Sequence, residues 1–315
     1  MSTGLAFGHN PPWSLMGWRG IDEERRDRDA LYGDGLLANF SDLSLEDEDK
    51  LKEKYIPIWD LQRELFGGKL IPTHRQETGD CVAEGATGTC QELTVWQITQ
   101  EHKEQRYRPI FSPYYYATGR NQILGGMSGA GSTGAAMAKA INKYGTLFSD
   151  DEGVPKYSGA LADKWGHRRN AGPIEQAEYA EFAKIAHDNP ANFVRLTTVE
   201  EIARAILSGI FPTIASSRGF KMKCREEKGF HCFVPSGTWM HQMRFSAVMY
   251  DPFFAFYRMN TWGPDAHGPP LNGELPGGGW NHAEDVEKEL KGRDVEVYGF
   301  YLLKAEPGEA DEGGL

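Results

Sequence analysis

From Gly79 onward apolar residues recur at helical spacing: Val82, Ala86, Cys90 and Leu93, with Trp96 one position short of the next step. That periodicity predicts a buried helix opened by Gly79-Asp80. A second helix is expected from about Thr133 to Tyr144, with Ser132 or Thr133 as N-cap and Gly145 as the stop. Its small face, Ala135, Ala136 and Ala140, suits close packing. The clearest signal comes next: Thr198 and Glu201 form a capping box, Val199, Ile202, Ala203, Ile206 and Leu207 make an apolar stripe, and Gly209 ends it. Strand-like text follows at 210–215, at 240–250 and 254–260 around Asp251-Pro252, and at 297–304. Helices precede strands, so the expected class is α+β, with an antiparallel sheet in the second half.

Outside this body the pattern fades. Residues 1–50 mix Gly, Pro and Trp with acidic runs such as Asp22-Glu23-Glu24 and Glu46-Asp47-Glu48-Asp49, and show little periodicity beyond a short helix near 44–53. We read 1–70 as an extended arm or propeptide-like segment. The body follows at 71–304, helical to about 190 and β-rich from 191, and 305–315 form an acidic, Gly-rich tail. No internal repeat is visible.

Composition narrows the function. The chain has 315 residues, 40% hydrophobic and 25% charged, as in ordinary globular proteins. A formal net charge of −11 argues against binding nucleic acid or anionic membranes, which require clustered Lys and Arg. The text contains no apolar run of about 20 residues and no basic-then-apolar leader, so we expect a cytoplasmic or virion protein that is not exported by the general route. Four cysteines, Cys81, Cys90, Cys224 and Cys232, are too few for a disulfide framework.

Cys81 heads the first predicted helix, where unpaired N–H groups and the helix dipole favour a thiolate. Cys90, nine residues on, is half a turn out of phase and belongs to the core stripe. The segment Gln76-Glu77-Thr78-Gly79-Asp80-Cys81-Val82-Ala83 resembles the nucleophile motif of papain-like cysteine peptidases, as a divergent, phage- or virus-encoded relative of that family would. Gln76 lies one residue nearer the cysteine than in papain, and Val82 replaces the usual Trp. The family's second motif is matched by His241 and by Asn260-Thr261-Trp262-Gly263, close to Asn-Ser-Trp-Gly. Cys81 and His241 are 160 residues apart, modestly beyond the family's roughly 130–150, which insertions in 150–195 would absorb.

The resemblance covers about 70–304, including Phe111-Ser112-Pro113-Tyr114-Tyr115 as a helix start and Gly131-Ser132-Thr133-Gly134 as a glycine-rich substrate wall. It implies a helical half, with the nucleophile helix at its centre, packed on an antiparallel β half. It also implies Cys81 as nucleophile, His241 as base, Asn260 as the residue orienting that base, and Gln76 with the Cys81 N–H as oxyanion hole. Gly79, Asp80, Gly131, Ser132 and Trp262 would meet the peptide or protein substrate. No cofactor and no metal are expected.

Three other readings stand beside this one. Cys224, His231, Cys232 and His241 offer zinc-type ligands, but their spacing matches no common finger. A Cys-His amidase or peptidoglycan endopeptidase would use the same nucleophile. A structural or virion-associated protein would keep the fold without activity, with residues 1–70 binding a partner or a second copy. The Gly-rich run at 125–134 lacks the Gly-Lys-Ser/Thr ending of a phosphate loop.

Overall fold

The computed structural model describes residues 38–43, 45, 49–50, 53, 56–103, 105–127, 129–167, 173–187, 191–292 and 295–301. The N-terminal part of the expected arm and the acidic tail lie outside the described residues, as does most of the helix expected near 44–53. The central element is a helix, Cys81–Thr99 (α2; α1 is Ile58–Leu65), buried on nearly every side. A helix this apolar all round must sit inside the molecule. Its threonines are accommodated because Thr87, Thr89, Thr94 and Thr99 donate their hydroxyls to carbonyls one turn back.

Against α2 pack Ser112–Thr118 (α3) and Gly134–Lys143 (α4), while Gly159–Gly166 (α5) packs on α3 and Pro173–Ile185 (α6) on α5. Thr133 is the N-cap of α4, its hydroxyl accepting from Ala136 N–H. Later come Val199–Leu207 (α7) and Ala283–Leu290 (α8). The capping box of α7 is present with both bonds made: Glu201 N–H to the Thr198 hydroxyl at 3.1 Å, and Thr198 N–H to the Glu201 carboxylate at 3.2 Å.

The strands are Ala38–Asn39 (β1), Asn192–Leu196 (β2), Phe211–Phe220 (β3), Arg225–Glu227 (β4), Phe230–Cys232 (β5), Pro235–Met249 (β6), Ala255–Met259 (β7), Gly278–His282 (β8) and Val295–Tyr301 (β9). Among the described residues they form one sheet in the order β1-β2-β9-β3-β6-β7-β8-β5-β4. All its pairs are antiparallel except β1–β2 and β5–β8, which are parallel. The fold is therefore α+β, as the pattern implies. Within the segment read as an arm, Ile58, Trp59 and Leu61 of α1 belong to the main core, and β1 pairs with β2.

The long strand β6 separates two cores. One lies between the sheet and the helical half and includes Val82, Ala86, Cys90, Leu93, Tyr115 and Trp280. The other lies beyond the sheet under α7 and α8, with Ile202, Ile206, Met243, Phe245, Phe256 and Val286. Two glycines of α2 leave room for the β6 side chains that lie on it. A Cβ at Gly88 would fall 2.7 Å from the Arg244 guanidinium, and one at Gly85 3.3 Å from Gln242 Cγ.

Candidate active site

Asp80 and Cys81 open α2, and the Asp80 carbonyl accepts from Ala83 and Glu84 N–H. Cys81 is fully buried, and its Sγ accepts a hydrogen bond from the Gln242 backbone N–H at 3.3 Å. The Gln242 side chain lies along the helix, donating to the Val82 carbonyl at 3.3 Å. Thus β6 passes directly over the head of the helix, and His241 immediately precedes the contacting nitrogen.

His241 itself points to the opposite face, as alternation along a strand requires. Its ring sits among Trp239, Trp262 and Phe220, with centroids 5.7, 6.0 and 6.4 Å away. Both ring nitrogens are buried without a hydrogen-bond partner. Burial, helped by the nearby Arg258 charge, lowers its pKa to about 3, so the imidazole is neutral at neutral pH.

Asn260 is buried, and its side chain meets a different histidine: Nδ2 lies 3.1 Å from His267 Nε2, while Oδ1 accepts from Thr261 N–H at 2.7 Å. His267 escapes a motif search because it sits in a Gly/Pro-rich loop, at φ +66°. Its pKa is also lowered by burial, to about 4. Trp262 covers both imidazoles.

Gln76 is close by but its amide is turned inward. Its Nε2 donates to the Thr78 carbonyl at 2.7 Å and its Oε1 accepts from the Thr261 hydroxyl. The loop that carries Gly79 is fixed by its neighbours: Thr78 donates to Asp163 at 2.7 Å, and Tyr157 donates to Asp80 Oδ2 at 2.9 Å. Burial raises the Asp80 pKa well above the carboxylate range, reinforced by Glu84. The glycine-rich wall is set by Arg120, a fully buried side chain that donates to the carbonyls of Met127, Gly129, Gly131 and Gly166. Ser132 is buried at the end of that wall.

A cavity of about 530 Å³ opens beside α2, between apolar walls from Phe66, Leu70, Ile110 and Phe111. Its polar floor is His74, Glu84 and Ser112, with the Ser112 hydroxyl donating to Glu84 and His74 Nε2 3.4 Å from the same carboxyl. Burial lifts Glu84 to about 7 and drops His74 to about 4, so this contact is not a full ion pair at neutral pH. Glu84 gave no sequence signal, since a carboxyl on a core-facing helix is visible only once the cavity is.

Neither a protein-family model nor a curated protein sequence matches the chain. Solved structures do. Xylellain, a cysteine protease from Xylella fastidiosa, superposes with TM-score 0.56 at 12% identity, over 95% of this chain and 100% of that one. Procathepsin B S9 from Trypanosoma congolense gives 0.54 at 11% identity, covering 93% of this chain and 87% of that one. Digestive procathepsin L 3 of Tenebrio molitor larval midgut gives 0.50 at 11% identity, with 89% of each chain covered. No helix among the described residues is long and apolar enough to cross a membrane. With the buried helix headed by Cys81, the sheet order and these superpositions together, the chain has a papain-like fold.

Proposed function

We propose that this chain is a papain-type cysteine peptidase in a closed state, with Cys81 as nucleophile and His241 as its base. The observation that carries this reading is the 3.3 Å contact of the Gln242 N–H with Cys81 Sγ. The His241 Cα is two covalent bonds from that nitrogen. Rotation about χ1 alone leaves the ring on the far face; a one-residue slip or twist of β6 over α2, which exchanges the faces of its side chains, would bring the imidazole to the thiol.

In the open state His241 takes the Cys81 proton, and the thiolate attacks the scissile carbonyl. The tetrahedral oxyanion is met by the Cys81 N–H and by Gln76 Nε2, once the latter leaves the Thr78 carbonyl. Collapse expels the amine with the proton from His241 and leaves a thioester, which water hydrolyses with His241 again as base. Asn260 would exchange His267 for His241 and hold the ring. Gly131, Ser132, Gly79, Asp80 and Trp262 would border the substrate, the glycines letting its backbone approach closely.

A second reading, a non-catalytic protein of the same fold, is favoured by the complete burial of Cys81 and His241 and by the engagement of Asn260 with His267. A limiting amount of an epoxysuccinyl thiol probe at neutral pH, with the labelled residue mapped by mass, separates the two. Selective labelling of Cys81 that collapses in His241→Ala supports the peptidase. Slow labelling of all cysteines, unchanged by His241→Ala, establishes the second reading. Intact mass in the same samples reports whether residues 1–70 are removed, as expected of a propeptide, or retained, as expected of an assembly arm.

A further inference from the structure

At the far edge of the sheet, three side chains of metal-ligating type converge away from the cleft: Glu227 of β4, Cys232 of β5 and His282 at the end of β8. Their ligand atoms all lie within 4.8 Å of one another. Strand register explains the convergence. Arg225 pairs with Cys232, and Cys232 with Trp280, so Glu227, Cys232 and His282, each on the same parity as one of these partners, share one face.

We propose that Glu227, Cys232 and His282 bind a zinc ion that staples the β4–β5 hairpin to β8. A thiolate, an imidazole and a carboxylate form a borderline-soft donor set suited to zinc. Bond lengths of about 2.0–2.3 Å place tetrahedral ligand atoms roughly 3.3–3.8 Å apart. His282 Nε2 and Glu227 Oε2 already stand 3.3 Å apart. Side-chain exposures of 25% for His282 and 31% for Glu227 leave the fourth position to water. The thiolate and the carboxylate together neutralise the dication.

The surroundings favour a structural ion. Phe230, Phe253 and Trp280 wall the group, with the Phe253 ring tilted by 37° at 4.7 Å from His282. Strand β5 is tied to β8 through the single register pair Cys232–Trp280. An ion held by β4, β5 and β8 would therefore hold the hairpin where backbone pairing is sparse. The competing cation is Arg225, whose Nη2 donates to Glu227 Oε2 at 2.6 Å. Its side chain is 62% exposed and is free to swing aside. Cys224, one position before Arg225 and on the other face, packs against Gly279 and is outside the group. Zinc binds the thiolate and so must displace the thiol proton, and affinity will rise with pH.

The test uses the full chain carrying Cys81→Ser, which removes the other thiol of interest, and reads metal rather than activity. The stripped protein is titrated with Co(II), followed by its thiolate charge-transfer band, and with Zn(II), followed by melting temperature. The proposal expects one equivalent bound, a rise in melting temperature with zinc, loss of the band in Cys232→Ser, and affinity at least about tenfold weaker in His282→Ala and Glu227→Gln. Absence of a band in the Cys81→Ser chain overturns it. So does a band that persists undiminished in His282→Ala, because a different ligand set would then be responsible. If Cys232→Ser fails to fold, the partly exposed His282 and Glu227 variants decide the question.

Discussion

The two faces of β6 contrast sharply. Toward α2 it presents Gln242, Arg244 and Ser246, and each has a polar partner: Val82, Glu92 and Glu92 respectively. Away from α2 it presents His241, Met243 and Phe245, in an apolar and aromatic setting that leaves both imidazole nitrogens unpartnered. The strand thus presents Cys81 with a backbone amide and holds His241 on its other side. Adjacency in sequence places two residues about 3.3 Å apart along a strand and on opposite faces of it, so a motif match alone does not specify where an imidazole points.

Titration separates the faces as well. On the helix side, burial raises the pKa values of Asp80 and Glu92, and that of Glu84 to about 7. On the aromatic side, burial lowers His241 to about 3 and His267 to about 4.

The contrast is broken most completely by His241→Phe, which fits the aromatic face and removes the imidazole. In the proposed mechanism, labelling of Cys81 by the epoxysuccinyl probe falls by about 10²–10⁴-fold. Urea denaturation of the same variant should show stability unchanged or raised by about 1 kcal/mol, since an unpartnered buried polar ring is replaced by an apolar one. A marked loss of stability would show that the imidazole has a structural partner after all.

Next in size is Glu289→Leu. It strands Arg258, fully buried between Phe220 and Phe245 and bonded to Glu289 at 2.7 Å and to Asn281 at 2.8 Å. Breaking such a pair costs about 3–5 kcal/mol, read as a shift of the urea midpoint at constant slope. A cost under about 1 kcal/mol would mean that water reaches the guanidinium.

The pH dependence sharpens the comparison with opposite signs. A histidine whose folded pKa is depressed binds fewer protons when folded, so stability from His241 and His267 is present above about 6.5 and is lost as pH falls toward 4 and 3. Glu84, raised from 4.5 to about 7, binds more protons when folded, so its contribution is present below 4.5 and lost as pH rises through 7. Each group contributes a slope of roughly 1.4 kcal/mol per pH unit within its window. Glu84→Gln should therefore make the stability slope between pH 4.5 and 7 more positive, and His241→Phe should flatten the loss below 6.5. Identical profiles for both variants and the parent would remove the electrostatic distinction between the faces.

The smallest expected effect is that of Gln242→Ala, which deletes the bond to the Val82 carbonyl while keeping the backbone N–H on Cys81. A loss of about 1 kcal/mol follows, with labelling of Cys81 nearly unchanged.

The sequence predicts most of the frame that carries these faces. Periodicity and end signals identify α2, α4 and α7, including the Thr133 cap and the Thr198–Glu201 box, and the strand-like runs overlap β3, β6, β7 and β9, with 302–304 outside the described residues. Other elements lack that signal. Strand β8, Gly-Gly-Trp-Asn-His, carries two glycines where a strand ordinarily has branched residues, and forms because its neighbours β7 and β5 pair with it. Helix α6 lies in the region read as loop insertions; its Tyr179 and Phe182 find partners on other helices, in Trp165, Tyr114 and Thr118. For the site, the order Cys, His, Asn is visible in the text, whereas rotamers and partners are not. His267 beside Asn260, Glu84 under the cavity and the Glu227–Cys232–His282 group all depend on which strand lies next to which.

The grip of Arg120 on the glycine-rich wall sets where that wall can vary. A guanidinium that holds Met127, Gly129 and Gly131 through their carbonyls recognises groups that every amino acid carries. The glycines at 129 and 131 are constrained by their φ values of +70° and +102°. Position 127 is under no such demand. The wall can therefore acquire a new surface chemistry by point substitution there without acquiring a new shape, while the residue that fixes the shape lies on another element, out of reach of whatever the surface contacts.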